Sequence, residues 1–420
     1  MEAEIVILGA GLAGLRCGIE ILQKRPKTTV VILEKYKYVG GRVVTYHKTL
    51  QDVKGVCTKL QWENGAGRVH SSHTKVHELL KKYKLTSIPL STEQFFVETD
   101  TIQENSFDQL LTMFLPALQT FQPEILAKYT LRQLFQILLK GKADDFLSMF
   151  PYRAEVDTLR ADVGIQSFQK EMGSTDYIIV KEGLSAMIDG MKRDFERLGG
   201  SIFLQQEAKD IQKQGDTYLV KTKTPGGDVL WEAKQVICAL HADALKQLPC
   251  FSNWSTLQHL KMEPLFRIYA VFPSNKGTSW FSGIGRLVTP GPIRYFIPIN
   301  PACGIVMLSY TDGKDARHLL GILEKKGEEA LEEYLMDHLR KMFPTYEIPD
   351  TVFFKTHPWF EGCTYWLPGA YEPEKLSEQA LQPFPETMPG VYCCGESFSM
   401  KQAWMEGALE HADELLKKFF

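Results

Sequence analysis

The start of this chain is constrained by a strand, a tight turn and a helix in immediate succession. The apolar run Ile5-Val6-Ile7-Leu8 enters Gly9-Ala10-Gly11-Leu12-Ala13-Gly14 and continues as the helical pattern Leu15-Arg16-Cys17-Gly18-Ile19-Glu20-Ile21-Leu22. The first Gly permits the turn, the second lets backbone approach a phosphate, and the third lets helix pack on strand. The helix N-terminus adds unpaired N–H groups and a positive dipole end. A second run, Thr28-Thr29-Val30-Val31-Ile32-Leu33, ends at Glu34, with Lys35 next. That spacing carries a carboxylate to the ribose of an adenine dinucleotide. Together these elements predict an α/β fold with a pyrophosphate-binding turn.

At 420 residues the chain exceeds one ordinary core, so two domains are expected. A formal net charge of −3 offers no basic face for nucleic acid. No stretch is apolar and long enough to predict a membrane span. The first strand begins near residue 4, which leaves no room for a leader peptide. Eight cysteines stand singly except Cys393-Cys394, without disulfide or metal spacing, which predicts a reducing, cytoplasmic setting. His70, His73 and His77 lie at a helix start with no neighbouring acid or thiol, so no metal is expected.

Further along, Gly40-Gly41-Arg42 forms a loop whose Arg can grip a phosphate, and Glu63-Asn64-Gly65-Ala66-Gly67-Arg68 punctuates the chain again. A capped helix follows from Thr74, through Val76, Leu79, Leu80 and Tyr83. From about 90 to 180 the period is helical, with Leu110, Leu111, Phe114, Leu131, Leu134, Phe135 and Leu138 as stripes. Strand character returns at residues 176–180, and a helix is predicted around residues 186–198. Short strands follow at 201–205, 218–222 and 236–239, with Pro225-Gly226-Gly227 as a hairpin turn. Residues 267–272, 295–299 and 305–310 read as antiparallel strands, and 328–343 as an amphipathic helix. The chain ends on a second nucleotide-type unit, Gly390-Val391-Tyr392-Cys393-Cys394-Gly395-Glu396, and a helix from about Trp404.

That last unit, with Ala403-Trp404-Met405-Glu406-Gly407-Ala408-Leu409-Glu410, resembles the C-terminal signature of FAD-dependent amine oxidases. The glycine turn, the Gly40-Gly41-Arg42 loop and the Gly65–Arg68 segment match the same family in the same order. The resemblance implies a Rossmann-like FAD-binding domain with a parallel sheet assembled from residues 1–74, 182–258 and 361–420. A mixed-sheet plus helical substrate domain, residues 75–181 and 259–360, would be interleaved with it. It further implies that Gly9, Gly11, Leu12, Ala13 and Gly14 hold the pyrophosphate, Glu34 and Lys35 lie at the ribose, and Gly41 and Arg42 lie at the phosphates. Gly65, Ala66, Gly67, Arg68 and Val69 would pass the flavin ring, Ala208 would meet adenine, and Gly395 and Glu396 would sit near the diphosphate. The backbone of Met405 would reach the flavin O2 edge, where a helix N-terminus stabilises negative charge.

On the substrate side the family carries a Lys that holds a water against the flavin. The matching strand here, Pro264-Leu265-Phe266-Arg267-Ile268-Tyr269, puts Arg267 in that place. A charged planar fork is not equivalent to an ammonium, and an Arg snorkelling from a strand face is an equal reading. Trp404 matches one wall of the family's aromatic cage. The facing wall would be Thr364 or Tyr365. Cys363 stands in a Gly-Cys context that carries covalent flavin in monoamine oxidases, although a lone Cys is more often a small buried hydrophobe. The resemblance thus implies an FAD-dependent oxidoreductase that oxidises an amine with oxygen as acceptor. Two alternatives remain: a desaturase or protoporphyrinogen-oxidase-like enzyme acting on carbon–carbon bonds, and a non-catalytic protein resembling GDP-dissociation inhibitors. Lys181-Glu182-Gly183 and Leu240-His241 depart from the family pattern and add weight to the first alternative.

Overall fold

The computed structural model describes residues 1–51, 57–90, 94–98, 101–104, 114–171 and 176–420. The strand Glu2–Leu8 buries Ile5, Val6, Ile7 and Leu8 alike. A run apolar at consecutive positions must be covered on both faces, which is the middle of an α/β sheet. It pairs in parallel with Val30–Leu33 on one side and Gly227–Cys238 on the other, and Ser201–Phe203 extends the sheet beyond Val30–Leu33.

Gly227–Cys238 serves two partners along one edge. Its first part runs antiparallel to Thr217–Thr224, which pairs in turn with Glu207–Gln214. Its end runs parallel to Val391–Cys393. The register sets Leu33, Leu8, Cys238 and Cys393 side by side. The segments that follow these strands therefore emerge at one edge, the carboxyl edge where α/β sheets bind ligands. Chain from residues 2–33, 201–238 and 391–393 thus converges on a single sheet.

A second sheet runs in the order Phe353–Trp366, Leu260–Val271, Ile305–Asp312, Tyr295–Asn300, Arg286–Val288, Gln94–Glu98 and Thr101–Glu104. Alternate residues of Leu260–Val271 face opposite ways. Phe266, Ile268 and Ala270 join Leu319, Leu335 and Leu339 of the helix Gly313–Met342 in one core. Leu265 and Arg267 look the other way, toward the first sheet's ligand edge.

Two expectations need correction. The stretch from 90 to 180 is not uniformly helical, because Gln94–Glu98 and Thr101–Glu104 are strands of the second sheet. The run Phe95-Phe96-Val97 is too short to show a 3.6 period, and its partner Arg286–Val288 lies far away in sequence. Residues 114–118 are helical, and Pro123–Lys128, Leu131–Leu139, Ala143–Ser148, Ala154–Thr158 and Ala161–Glu171 follow, around Leu134, Phe135, Phe146 and Phe150. Leu110 and Leu111 lie outside the described residues. The helix expected over 328–343 is found after a break at Gly327, whose φ is +86°, and a further helical stretch from Gly313 precedes it.

The second correction concerns the helix Thr74–Lys82. Its N-cap is His73, which gives no side-chain cap. The buried Glu406 of the C-terminal helix Met405–Phe419 accepts instead from the N–H groups of Lys75 and Val76, both at 3.0 Å. A carboxylate at a helix N-terminus satisfies orphan donors and meets the positive dipole end. Arg16 and Lys75 also reach Asp413 of the same helix, at 2.7 and 2.5 Å. The tie from Glu406 docks the C-terminal helix onto the dinucleotide-binding core. Glu406→Ala leaves those buried donors unmet, so unfolding by urea should show a loss of about 2–3 kcal/mol.

Candidate active site

The glycine turn is sterically closed on one side and open on the other. Gly9 has φ +99°, and a Cβ on Gly14 would fall 2.0 Å from the Gly9 carbonyl oxygen. A Cβ on Gly11 would meet nothing within 4 Å, because this stretch of backbone faces a long cleft. The helix Leu12–Lys24 begins there with no side chain capping its first N–H groups. Glu34 stands at the outer end of the cleft. Its carboxylate accepts from the N–H groups of Ala10 at 2.7 Å and Tyr36 at 2.8 Å, while burial pushes its pKa upward. Lys35 and Ala208 line the same end.

Midway, Arg42 donates to Glu396 Oε2 and to the Gly362 carbonyl, both at 2.8 Å. Glu396 is the meeting point of three chain segments. It also accepts from the N–H and hydroxyl of Thr364 and from the Ala403 N–H at 2.7 Å. Holding Ala403, a non-glycine residue at φ +66°, sets the turn from which Trp404 and Met405 enter the cleft.

The inner end is built by the second sheet. Leu265 lies opposite Asp312 and Arg267 opposite Tyr310, so these four share one face and look into the cleft. Arg267 does not snorkel to solvent. It is 8% exposed, donates to the Glu63 carbonyl at 3.1 Å, and lies 4.7 Å from the Tyr310 ring centre. Gly67 leaves room for it, since a Cβ there would sit 2.9 Å from Arg267 Nη1 and displace the guanidinium. Along Phe353–Trp366, Cys363 and Tyr365 line the cleft. Thr364 faces away, bonded to Glu396 and Ser397, which leaves Tyr365 as the wall residue of that pair. Trp404 stacks its edge on His73, with ring centres 4.9 Å apart.

Most of the residues picked from sequence therefore come together on one cleft: Gly9, Gly11, Leu12, Ala13, Glu34, Gly41, Arg42, Gly65 through Arg68, Gly395, Glu396, Met405 and the substrate-side trio. Two do not line it. Gly14 acts from beneath, against Gly9, and Val69 turns its side chain into the core while pairing with Ile178. Sequence reasoning missed Tyr152, His241, Tyr310 and Asp312. Tyr310 and Asp312 had no signal short of their strand register, and Tyr152 lies where the family resemblance is thin. His241 was noted only as a departure from the family pattern. It caps a short helix by accepting from the Ala244 N–H at 3.2 Å, and desolvation, with the charge of Arg42, pushes its pKa down to about 4.

The cleft fits an adenine dinucleotide on the protein's own geometry: an open backbone at Gly11, a carboxylate at Glu34 and a cation at Arg42. Gly14→Ala drives a methyl into Gly9, so the purified protein should lose most of its bound flavin, measured as absorbance per polypeptide before and after adding FAD. Asp312 yields a second test. Burial pushes its carboxyl up to about 7, although the N–H groups of Arg153 and Ala154 oppose this. The folded state then binds a proton more tightly than the unfolded chain, so stability falls as pH rises from about 4 to 7. Asp312→Asn keeps an acceptor for both N–H groups, and urea titrations at pH 5 and pH 8 should show a smaller decline for the variant.

The family profile of flavin-containing amine oxidoreductases matches residues 12–162 and 161–414. Among curated proteins, uncharacterised protein R188 of Acanthamoeba polyphaga mimivirus is 22% identical, covering 100% of this chain and 94% of its own. Among solved structures, a protein assigned as a protoporphyrinogen oxidase from Exiguobacterium sp. 255-15 superposes with a TM-score of 0.72 at 14% identity, covering 99% of this chain and 98% of its own. A putrescine oxidase redesigned in its cofactor binding gives 0.73 at 15% identity, covering 100% and 99%. These likenesses show a shared fold, and the family match sets aside the non-catalytic alternative. The chain belongs to the flavin-containing amine oxidoreductase family and is an FAD-dependent oxidoreductase.

Proposed function

We propose that this enzyme oxidises the carbon–nitrogen bond of a small-molecule amine. When bound, FAD supplies the two-electron acceptor for such chemistry. The amine loses a hydride from its α-carbon and a proton from nitrogen, and water hydrolyses the resulting imine. Oxygen takes up two electrons and two protons as hydrogen peroxide.

The protein's part is placement and electrostatics. Gly9, Gly11, Leu12, Ala13 and Gly14 would hold the pyrophosphate with the N-terminus of Leu12–Lys24, and Glu34 and Lys35 would take the ribose end. Gly41, Arg42, Gly395 and Glu396 would flank the phosphates, and Ala208 would meet adenine. The segment Gly65 to Val69 would run beside the ring. Trp404 and Tyr365 would wall the inner end, exclude water and press a neutral amine against the reacting face. Met405 opens a helix of 15 residues, whose N-terminal dipole would favour negative charge on the ring. Arg267 would hold a water where relatives use a lysine.

The reading is carried by one observation: Trp404 stands at the N-cap position of that helix on the wall of the cleft, 5.4 Å from the Arg68 guanidinium, and Tyr365 lines the same cleft. Family membership and the full-length fold likeness to putrescine oxidase support it. Burial pushes the Cys363 thiol up to about 12, which disfavours the thiolate and supports a flavin held without a covalent bond. A second reading, oxidation of a carbon–carbon bond, draws support from Arg267 in place of lysine and from the likeness to the protein from Exiguobacterium. The test is anaerobic bleaching of the flavin by a panel of primary, secondary and poly-amines, alongside a porphyrinogen. Bleaching by an amine upholds the first reading. Bleaching by the porphyrinogen alone selects the second.

A further inference from the structure

The inner end of the cleft holds two cations, Arg68 and Arg267, that form no ion pair with an acid among the described residues. The acids along the same wall are otherwise met. Glu34 accepts from two backbone N–H groups, Glu396 pairs with Arg42, Asp312 accepts from the N–H groups of Arg153 and Ala154, and Glu207 pairs with Lys35 and Lys209. Glu155 and Glu361 also line the cleft, and neither forms an ion pair with Arg68 or Arg267.

Arg68 makes no hydrogen bond and no ion pair with the described residues. Its guanidinium is instead enclosed by rings: Tyr177 at 4.7 Å, Tyr152 at 5.2 Å and Trp404 at 5.4 Å. Arg267, which is 8% exposed, rests on the Tyr310 ring and leaves its Nε buried without a partner. Aromatic faces steady a guanidinium from above and below without using its N–H donors. The in-plane fork of Arg68 therefore remains free, and a fork of that shape matches a carboxylate through paired charge-assisted bonds, while Arg267, whose Nη1 donates to the Glu63 carbonyl, adds charge and Nη2 beside it. A buried cation without a counter-charge is costly, so its partner is to be sought in what enters the cleft. The cofactor phosphates are not that partner, because Gly11 and Arg42 already serve them on the reading above.

We propose that Arg68 and Arg267 together receive a carboxylate of the substrate, so the oxidised molecule is a carboxylate-bearing one whose reacting C–H lies close to that group. This deepens the amine reading and rests on it only for the nitrogen. Two sources share the chemistry. An amino acid gives a 2-oxo acid and ammonia after loss of hydride and proton and hydrolysis of the imine. A 2-hydroxy acid gives the same 2-oxo acid directly, by loss of a hydride from carbon and a proton from oxygen. Simple amines such as diamines, which place a cation where the arginines stand, are disfavoured.

The first experiment is calorimetric titration of the flavin-loaded enzyme with acetate, benzoate and 4-phenylbutyrate, each against its neutral amide. At least one carboxylate should bind about tenfold or more tightly than its amide, and Arg68→Gln and Arg267→Gln should each erase that preference. Arg68→Lys, which keeps the charge and loses the fork, should retain part of it, and flavin absorbance per polypeptide confirms that each variant is folded and loaded. If no carboxylate outbinds its amide, or if Arg68→Gln keeps the preference, the proposal falls. Anaerobic bleaching by phenylalanine, phenylethylamine and 3-phenyllactate then separates the two readings. Bleaching by phenylalanine upholds both. Bleaching by phenyllactate alone keeps the carboxylate and overturns the amine. Bleaching by phenylethylamine as readily as by phenylalanine keeps the amine and overturns the carboxylate.

Discussion

The whole site depends on the pairing of one long strand. Gly227–Cys238 must lie parallel to Glu2–Leu8 on one side and to Val391–Cys393 on the other for the chain's two ends to meet. Because side chains alternate with a period of two, a slip of one residue in either ladder would turn a fully apolar strand set inside out. Buried side chains such as Ile7, Ile237 and Cys393 fix that register. Once it is set, the glycine turn, Glu34 and the Gly395-Glu396 turn emerge at one edge without further instruction.

Charge then locks the assembly that apolar packing has brought together. Glu396 collects Arg42, Thr364 and Ala403, and Glu406 collects the first turn of Thr74–Lys82. Both acids are buried, so each is stable only while its donors stay in place. These contacts join the early loops, the second sheet and the C-terminal helix. The inner end of the cleft contrasts with this pattern. Asp312 there accepts from the N–H groups of Arg153 and Ala154, whereas Arg68 and Arg267 are steadied mainly by rings. Cations held against rings and not against acids suit a ligand of opposite sign.

Much of the dinucleotide half was legible because its signals are local. A turn that needs glycine at Gly9 and Gly14 announces itself within six residues of chain, and Glu34 follows at the end of the next strand. Trp404 and Met405 were legible through a family signature of similar compactness. Gln94–Glu98 and Thr101–Glu104 were not, since five- and four-residue strands leave little periodicity, and Gln94–Glu98 joins the sheet through the distant Arg286–Val288. Val69 was read as a cleft residue because its neighbours are, but the alternation of a short strand turns it inward.

By itself the sequence determined which segments would approach a phosphate, where the chain would re-enter the nucleotide fold, and which chemistry a flavin family would bring. Those properties reside in residue type at short spacing, where backbone sterics and helix dipoles act within one turn. Only the tertiary structure decided that Arg267 faces the cleft opposite Tyr310, that Thr364 turns away while Tyr365 turns in, and that Arg68 stands among three rings drawn from distant parts of the chain. Strand register and the packing of one sheet against another are set by contacts across hundreds of residues, and no local pattern encodes which side chains they bring face to face.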